Sequence, residues 1–265
     1  MNLKRAYKYR ELSPVALFDR FARERRILAS RDYWKSLKNK HQGKRGFVIG
    51  NGPSLRLGDL ERLNGEISIA SNKIYLAFDQ VSWRPTYYTV ADRLLWRKIR
   101  REIGSYVGLI HVPEFIYGIP YGIRKKIHCW RFLVEGKSFD EYSGVAFSDD
   151  ITKGAYGGAT ITFDNLQLAA HLGLNPIYII GCDHYYAGES DIVHDHAVRV
   201  GEQSNHFISG YRRPGEKVNP APIDKMNDAY SRAQTFAEER GLEIYNATRG
   251  GHLEAFPRVI LDSLF

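Results

Sequence analysis

Gly46-Phe47-Val48-Ile49-Gly50-Asn51-Gly52-Pro53-Ser54-Leu55 decides the fold. Four residues of a short apolar run end in glycine, as in a strand buried on both faces. Two glycines and a proline then turn the chain sharply, and a short helical stretch follows from Gly58 to Leu63. Strand, glycine turn and helix in that order form the opening unit of an α/β sheet.

The rest of the chain repeats the unit. Ile67 to Ser71 and Thr86 to Val90 read as strands, Arg93 to Ile103 as a basic helix, and Val107 to Val112 as a further strand. Pro113 to Tyr156 is aromatic and glycine-rich and takes no assignment from its pattern. A helix capped by Thr160 or Thr162 runs to Leu172, with Gly173 at its C-terminal turn. Pro176 to Gly181 is a strand, with Cys182-Asp183-His184-Tyr185-Tyr186 at its C-terminal end. Ile223, Met226, Tyr230, Ala233 and Ala237 mark one face of a helix from Ile223 to Arg240, and Leu242 to Tyr245 closes the series. Strands alternating with helices predict a Rossmann-like, mostly parallel sheet flanked by helices, whose ligands bind at the C-terminal strand ends. The polar stretch from about 187 to 222 has the length of a lid.

The 265 residues carry 38 Lys and Arg against 30 Asp and Glu, a formal +8. The excess is local. Residues 1–44 form a basic helical arm, and through Arg45 the chain holds 14 basic against 4 acidic residues, net +10, whereas the remainder is net −2. The basic pI is therefore a property of the arm, which disfavours nucleic acid as the partner of the domain spanning 45–265. Within the arm, Ser13-Pro14 starts a helix through Leu28, and a second runs from Asp32 to about Lys40. Such an arm rests on an anionic membrane surface, on its own domain or on a second subunit. No apolar run approaches the ~20 residues that span a bilayer, and Met1 to Arg10 lack the apolar core of a secretory signal. Only Cys129 and Cys182 are present. The expected location is cytoplasmic, with peripheral contact at the inner membrane face through the arm.

The glycine turn fits neither of two familiar nucleotide motifs. Leu55 stands where the dinucleotide fingerprint has its third glycine, and the second strand ends in Asn72 rather than an acid for a ribose. No Gly-Lys-Ser/Thr follows, so it is not a P-loop. Gly50 and Gly52 still allow close backbone approach to a phosphate, and Asn51 and Asn72 offer neutral amides to a nucleotide.

Val48 to Leu55 with Ser71-Asn72 resembles the opening of the bacterial sialyltransferases of glycosyltransferase family 42, and equally of the 6-hydroxymethylpterin pyrophosphokinase-like family. The resemblance resumes at Tyr156 to Thr160, Leu172 to His184, Asn205 to Phe207 and Ile244 to Thr248. It implies that Asn51, Gly52, Ser54 and Asn72 hold the donor's phosphate and nucleotide, that Asp92 is a polar donor contact, and that Thr160 and Thr162 bind phosphate or sugar. It implies that Tyr185 stabilises the departing phosphate; His206 matches the first of the family's two histidines four apart, and either His206 or His184 would then serve as the base. The chain departs from the family pattern at Gly210, where a second histidine is expected, and near Gly158, where an arginine is expected.

His184 and Asp183, at a strand end, are the alternative catalytic pair. Asp183, Asp191, His194, Asp195 and His196 could instead ligate Mg²⁺, as could Asp149-Asp150, since a pyrophosphokinase holds Mg²⁺ on carboxylates and substrate phosphates. Three readings follow. One is a transferase moving a sugar, such as a CMP-activated acidic sugar, onto a glycan or other hydroxyl acceptor in surface-glycan synthesis, with no required cofactor. Another is an Mg²⁺-dependent pyrophosphokinase acting on a pterin or small alcohol. The last is a non-catalytic nucleotide- or glycan-binding protein. A homo-oligomer is compatible with each.

Overall fold

The computed structural model describes residues 14–134, 146–186, 192–193, 196–198, 205–213, 216–219 and 221–265. In chain order the main elements are helix α1 (Pro14–Leu37), strand β1 (Gly46–Ile49), helix α2 (Leu57–Arg62), strands β2 (Ile67–Ser71) and β3 (Tyr87–Thr89), and helix α3 (Arg93–Ile99). Strands β4 (Ile110–Pro113), β5 (Ile127–Trp130), β6 (Phe132–Leu133) and β7 (Ala155–Tyr156) come next, then helix α4 (Ile161–His171) and strand β8 (Ile177–Ile180). Strands β9 (Ile192–Val193), β10 (His196–Val198) and β11 (Lys217–Val218), helix α5 (Ile223–Arg240) and strand β12 (Ile244–Asn246) complete the chain.

Seven strands form one parallel sheet in the order β12-β8-β1-β2-β3-β4-β5. This is a Rossmann-like α/β fold. The chain winds outward from β1 to β5 and returns to the other side of β1 at β8. The strand order therefore reverses between β1 and β8, where their C-terminal ends open the crevice that binds ligands in such sheets.

Both faces of the sheet are covered, so its strands read as continuous apolar runs whose side chains point alternately to the two faces. Val48, Ile69, Tyr87, Ile177 and Ile179 face a core with α1, α4 and α5, which contribute Trp34, Phe163, Leu166, Tyr230 and Phe236. Phe47, Ile49, Ala70, Tyr88 and Ile180 face the opposite core with Leu60, Trp83, Leu95 and Trp96.

The arm differs from its expected form. A single 24-residue helix replaces the two predicted, because nothing between Leu28 and Asp32 breaks it. Ser30, read as a gap between helices, is buried; its hydroxyl donates to the Arg26 carbonyl at 3.0 Å and accepts from the Cys129 amide at 2.8 Å. The second half of α1 is packed on the domain. Trp34 is 2% exposed and its indole donates to the Cys129 carbonyl at 2.7 Å. Tyr33 stacks on His128 and its hydroxyl meets His111 Nε2 at 2.7 Å. His111 Nδ1 lies 2.9 Å from the Tyr88 carbonyl, so Nδ1 carries the proton and Nε2 accepts from Tyr33.

Other differences are smaller. The basic helix α3 stops at Ile99 rather than Ile103, and the chain continues into a 3₁₀ turn at Ile103–Ser105. The unassigned region holds β5, the sheet's far edge, against which α1 packs, and a short parallel pair β6–β7. The stretch from 187 to 222 contains the antiparallel sheet β11-β10-β9. Tyr211 and Val218 from this stretch are buried, so part of it is core.

Burial pushes His111 down to about 3 from 6.5. Its neutral form is thus required by the docked arm. The unfolded chain binds a proton there between these values and the folded chain does not, so stability is complete above about pH 6.5 and falls as the pH drops toward 3. His111→Gln should reduce the slope of unfolding free energy against pH between 4 and 6 by about one proton, or about 1.4 kcal/mol per pH unit. Urea titrations of both proteins at stepped pH measure it; an unchanged slope would contradict the assignment.

Candidate functional site

The turns after β1 and β8 lie against each other. Gly50 N–H donates to the Ile180 carbonyl and Gly52 N–H to the Gly181 carbonyl, both at 2.8 Å. A Cβ on Gly50 would stand 2.3 Å from the Gly181 oxygen, and one on Gly52 would stand 1.9 Å from the Asp183 carboxylate. Neither position accepts a side chain without displacing backbone or that carboxylate. Gly181 itself sits at φ +65°, a left-handed conformation suited to glycine.

Asp183 fills the cradle that the sequence reserves for phosphate. Its carboxylate accepts from the Ser54 hydroxyl at 2.8 Å and from the Ser54 amide at 3.2 Å. The two donors of Ser54 thus already serve an internal anion. Burial raises the Asp183 carboxyl above its ordinary value, against the lowering effect of the Ser54 hydroxyl and amide. The last glycine pair braces Asp183 from behind: Gly251, at φ +74°, abuts its backbone, and the His252 amide donates to its carbonyl at 2.7 Å.

Asn51 and Asn72 stand side by side at the ends of β1 and β2. Asn51 Nδ2 donates to the Ser71 carbonyl at 3.2 Å. Asn72 lies at φ +59°, with its carbonyl accepting from the Tyr88 hydroxyl. Among the described residues the amide oxygens of both asparagines are buried and have no hydrogen-bond partner. Acceptors in that state suit a partner carrying N–H or O–H donors.

On the other side of the crevice Thr160 is the N-cap of α4, its hydroxyl 3.3 Å from the Thr162 amide and 3.4 Å from the Tyr230 hydroxyl. Thr162 Oγ1 lies 3.3 Å from the Cys182 thiol, which burial pushes up to about 11, leaving it neutral. His184 holds φ +54° and its Nε2 is 2.7 Å from Asn227 Oδ1 on α5. The amide oxygen only accepts, so this bond assigns the proton to Nε2 and leaves Nδ1 as a lone pair; Nδ1 is buried and has no partner among the described residues. Tyr230 meets the His184 ring edge-on at 5.5 Å.

The remaining candidates are placed as follows. Tyr185 is 59% exposed beside His252. His206 stacks face-to-face on Tyr211 at 3.8 Å, and the next residue, Phe207, donates its amide to the Asn51 carbonyl at 3.1 Å. Asp92 is the N-cap of α3, accepting from the Leu95 amide at 2.9 Å and from Asn219 at 3.0 Å. Asp191, His194 and Asp195 lie outside the described residues, and of His196 only the backbone, in β10, is described. Asp150 is paired with Lys38 at 2.7 Å, away from the crevice. Among the described residues no three His, Cys, Asp or Glu side chains gather as a metal site.

Sequence reading missed Asn227 and Tyr230, which α5 brings beside His184. Only the helical stripe of Tyr230 was legible, and it reads as core.

No family model matches the chain, and no curated protein does. A solved structure with slight similarity is the UDP-N-acetylglucosamine 4-epimerase from Bacillus cereus, 11% identical, with a TM-score of 0.22 over 77% of this chain and 52% of that one. The chain spans about half the length of that structure. At this level the likeness carries no assignment of activity.

The contact between Gly52 and Asp183 is testable by itself. Gly52→Ala should destabilise by about 1–3 kcal/mol, as overpacking does. Asp183→Ala removes the clash, so the double variant should fall short of the summed single effects by about 1 kcal/mol or more. Additive effects in urea denaturation would show that the two groups do not meet.

Proposed function

We propose that this protein is a nucleotide-dependent transferase, and specifically a glycosyltransferase that moves a sugar from a nucleotide-activated donor to a hydroxyl acceptor. One observation carries the reading: the buried amide oxygens of Asn51 and Asn72, unpartnered among the described residues, at the ends of β1 and its neighbour β2 beside the reversal of strand order. A nucleoside supplies what they lack, through ribose hydroxyls or the exocyclic amine of a base such as cytosine.

His184 serves as the general base in this scheme. Its Nδ1 takes the proton of the acceptor hydroxyl, whose oxygen attacks the anomeric carbon of the donor. The bond from that carbon to the phosphate oxygen breaks, and the nucleotide leaves with the electron pair. Asn227 fixes the ring and tautomer, as a third group commonly orients a catalytic base. The Ser54 amide and hydroxyl hold the Asp183 carboxylate next to His184 in the chain, and a carboxylate there favours the positive character that develops at an anomeric carbon.

The arm suits a peripheral location at a membrane holding a surface-glycan acceptor. Phe21 and Leu28 are 72% and 60% exposed on one stripe of α1, interspersed with Arg25 and Lys35. Among the described residues, no helix is long and apolar enough to cross a membrane.

A thermal-shift panel of CMP, CDP, UDP, GDP, ATP and AMP, with and without Mg²⁺, tests the class. Stabilisation by CMP or CDP without added metal is expected. Stabilisation by ATP only with Mg²⁺ would favour the pyrophosphokinase reading instead, and silence toward every nucleotide would sink both. Asn51→Ala should weaken binding about tenfold or more, as loss of one specific hydrogen bond does. His184→Ala should retain binding and lower turnover by about 10²–10⁴-fold. Loss of turnover in His206→Ala with wild-type rates in His184→Ala would move the base to His206.

A further inference from the structure

Residues 46–265 are net −2, and that near-neutral total hides a division. The stretch from Arg93 to Lys126 holds eight Lys and Arg against Glu102 and Glu114, net +6, so the rest of the domain is net −8. The fold gathers the stretch into one surface. Helix α3 leads into the 3₁₀ turn at Ile103–Ser105, and a second 3₁₀ turn, Tyr121–Lys126, packs on the first. A Cβ on Gly104 would stand 2.2 Å from the Ile123 side chain, and the Lys126 ammonium donates to the Gly104 carbonyl at 2.8 Å. Acids from neighbouring elements reduce the charge without cancelling it. Asp92 caps α3, and Glu216 accepts from Lys98 at 2.8 Å. With both of these counted in, eight basic residues stand against four acidic ones. Asp19, on α1, is paired with Arg23 of the same helix.

The surface is aromatic as well as basic. Tyr121 is 86% exposed and Tyr117 42%. Side chains of α3 fasten the loop that carries them: the Trp96 indole donates to the Tyr117 carbonyl at 2.8 Å, Arg100 to the Gly118 carbonyl at 2.6 Å, and Arg97 to the Tyr117 hydroxyl. Guanidinium groups lie beside both rings, Arg97 at 5.4 Å from Tyr117 and Arg124 at 5.4 Å from Tyr121. Arg93, Arg97, Arg101, Arg124 and Lys125 are exposed. Exposed tyrosines interleaved with basic side chains match the headgroup layer of an anionic bilayer, which accepts amphipathic rings at its polar boundary and attracts nearby cations. Nucleic acid is a poorer match, because the stretch from Arg93 to Lys126 has no Asn, Gln, Asp or Thr with which to read base edges. Helix α1 meets the same loop, with Arg26 donating to the Ile116 carbonyl at 2.9 Å. Its exposed Phe21 and Leu28 are apolar groups that a phosphate backbone would not engage.

We propose that α3 and the two 3₁₀ turns beside it, with Tyr117, Tyr121, Arg124 and Lys125 at their exposed surface, dock on an anionic phospholipid membrane. This face belongs to the α/β domain and not to the arm, and it serves whether or not the protein transfers a sugar. Helix α3 runs back along the sheet from the C-terminal end of β3, so docking on this flank leaves the strand-end crevice uncovered. The segregation of charge then has a physical use: the basic flank is drawn to the lipid, while the acidic remainder of the domain is repelled from it and orients the molecule.

Co-sedimentation of the full chain with vesicles tests the proposal. The wild type should bind phosphatidylcholine vesicles containing about 30% phosphatidylglycerol, and pure phosphatidylcholine about tenfold more weakly or less. The double variant Arg124→Gln with Lys125→Gln should bind the anionic vesicles about tenfold more weakly, and Tyr121→Ser about threefold more weakly. Wild-type affinity in the double variant, equal binding to the two vesicle types, or no binding at all overturns the proposal. Should the double variant fail to fold, Tyr121→Ser decides alone: wild-type affinity there overturns it. Arg20→Gln with Arg25→Gln separates the arm from the domain. Loss of binding in that variant, with wild-type binding in Arg124→Gln with Lys125→Gln, assigns the membrane to the arm and overturns the domain face. Binding to single-stranded polyuridylate that depends on Arg124 and Lys125, without binding to vesicles, overturns it in favour of nucleic acid.

Discussion

Strands β1 and β8 end side by side, and the turns that leave them occupy the same few ångströms. Everything at the crevice depends on that crowding. Gly50 and Gly52 have no side chains because Gly181 and Asp183 fill the space where those side chains would be. The Asp183 carboxylate in turn has a defined place only because Ser54 presents its amide and hydroxyl to it. One ionisable group therefore ties the first strand–turn–helix unit to the sixth strand of the sheet in chain order, across more than a hundred intervening residues. The His184 backbone, at φ +54°, follows directly, and a strained residue next to a fixed one is held by its surroundings.

The docked half of the arm solves a separate problem. The far edge of the sheet, β5, would expose Trp130 and His128 on the α4 side, beyond the reach of α4. Helix α1 covers that edge, and it does so with polar groups that find partners on the sheet and on α4. Trp34 meets the Cys129 carbonyl, Tyr33 meets His111, and the Trp34 carbonyl meets His171 at 2.9 Å. Neutral histidines suit this role, since each offers one donor and one acceptor without a buried charge. Arg20, Arg25, Arg31 and Lys35 are exposed on this helix, whereas Arg26 turns inward to the Glu114 and Ile116 carbonyls.

The fold was legible because its strongest signals are local. Phe47-Val48-Ile49 and Ile177 to Ile180 are unbroken apolar runs bounded by glycine, and Ile223 to Arg240 has a helical stripe that coincides with α5. Edge strand β5 was not legible. Ile127-His128-Cys129-Trp130 carries polar groups that belong to the arm interface, so its pattern encodes a tertiary contact rather than a strand period. The break predicted inside α1 fails for the same reason: Ser30 reads as polar punctuation, yet its hydroxyl is satisfied by Cys129 from another element. At the site, Asn51, Asn72, Asp183 and His184 were visible as chemistry at strand ends. Their partners were not, because Asn227 and Tyr230 are ordinary residues of a helix until it packs beside His184.

Chemistry on the two sides of the β1 turn differs in kind. On the β2 side stand neutral acceptors: the amide oxygens of Asn51 and Asn72 are buried and unpartnered among the described residues, and such groups discriminate by hydrogen-bond pattern rather than by charge. On the β8 side stands the Asp183 carboxylate, held by Ser54, with His184 next in the chain and fixed by Asn227. The reversal of strand order brings β1 and β8 together between these two sets of groups. Under the proposed reading the first set would hold the nucleoside and the second would face the acceptor hydroxyl, so neither set alone would suffice for transfer.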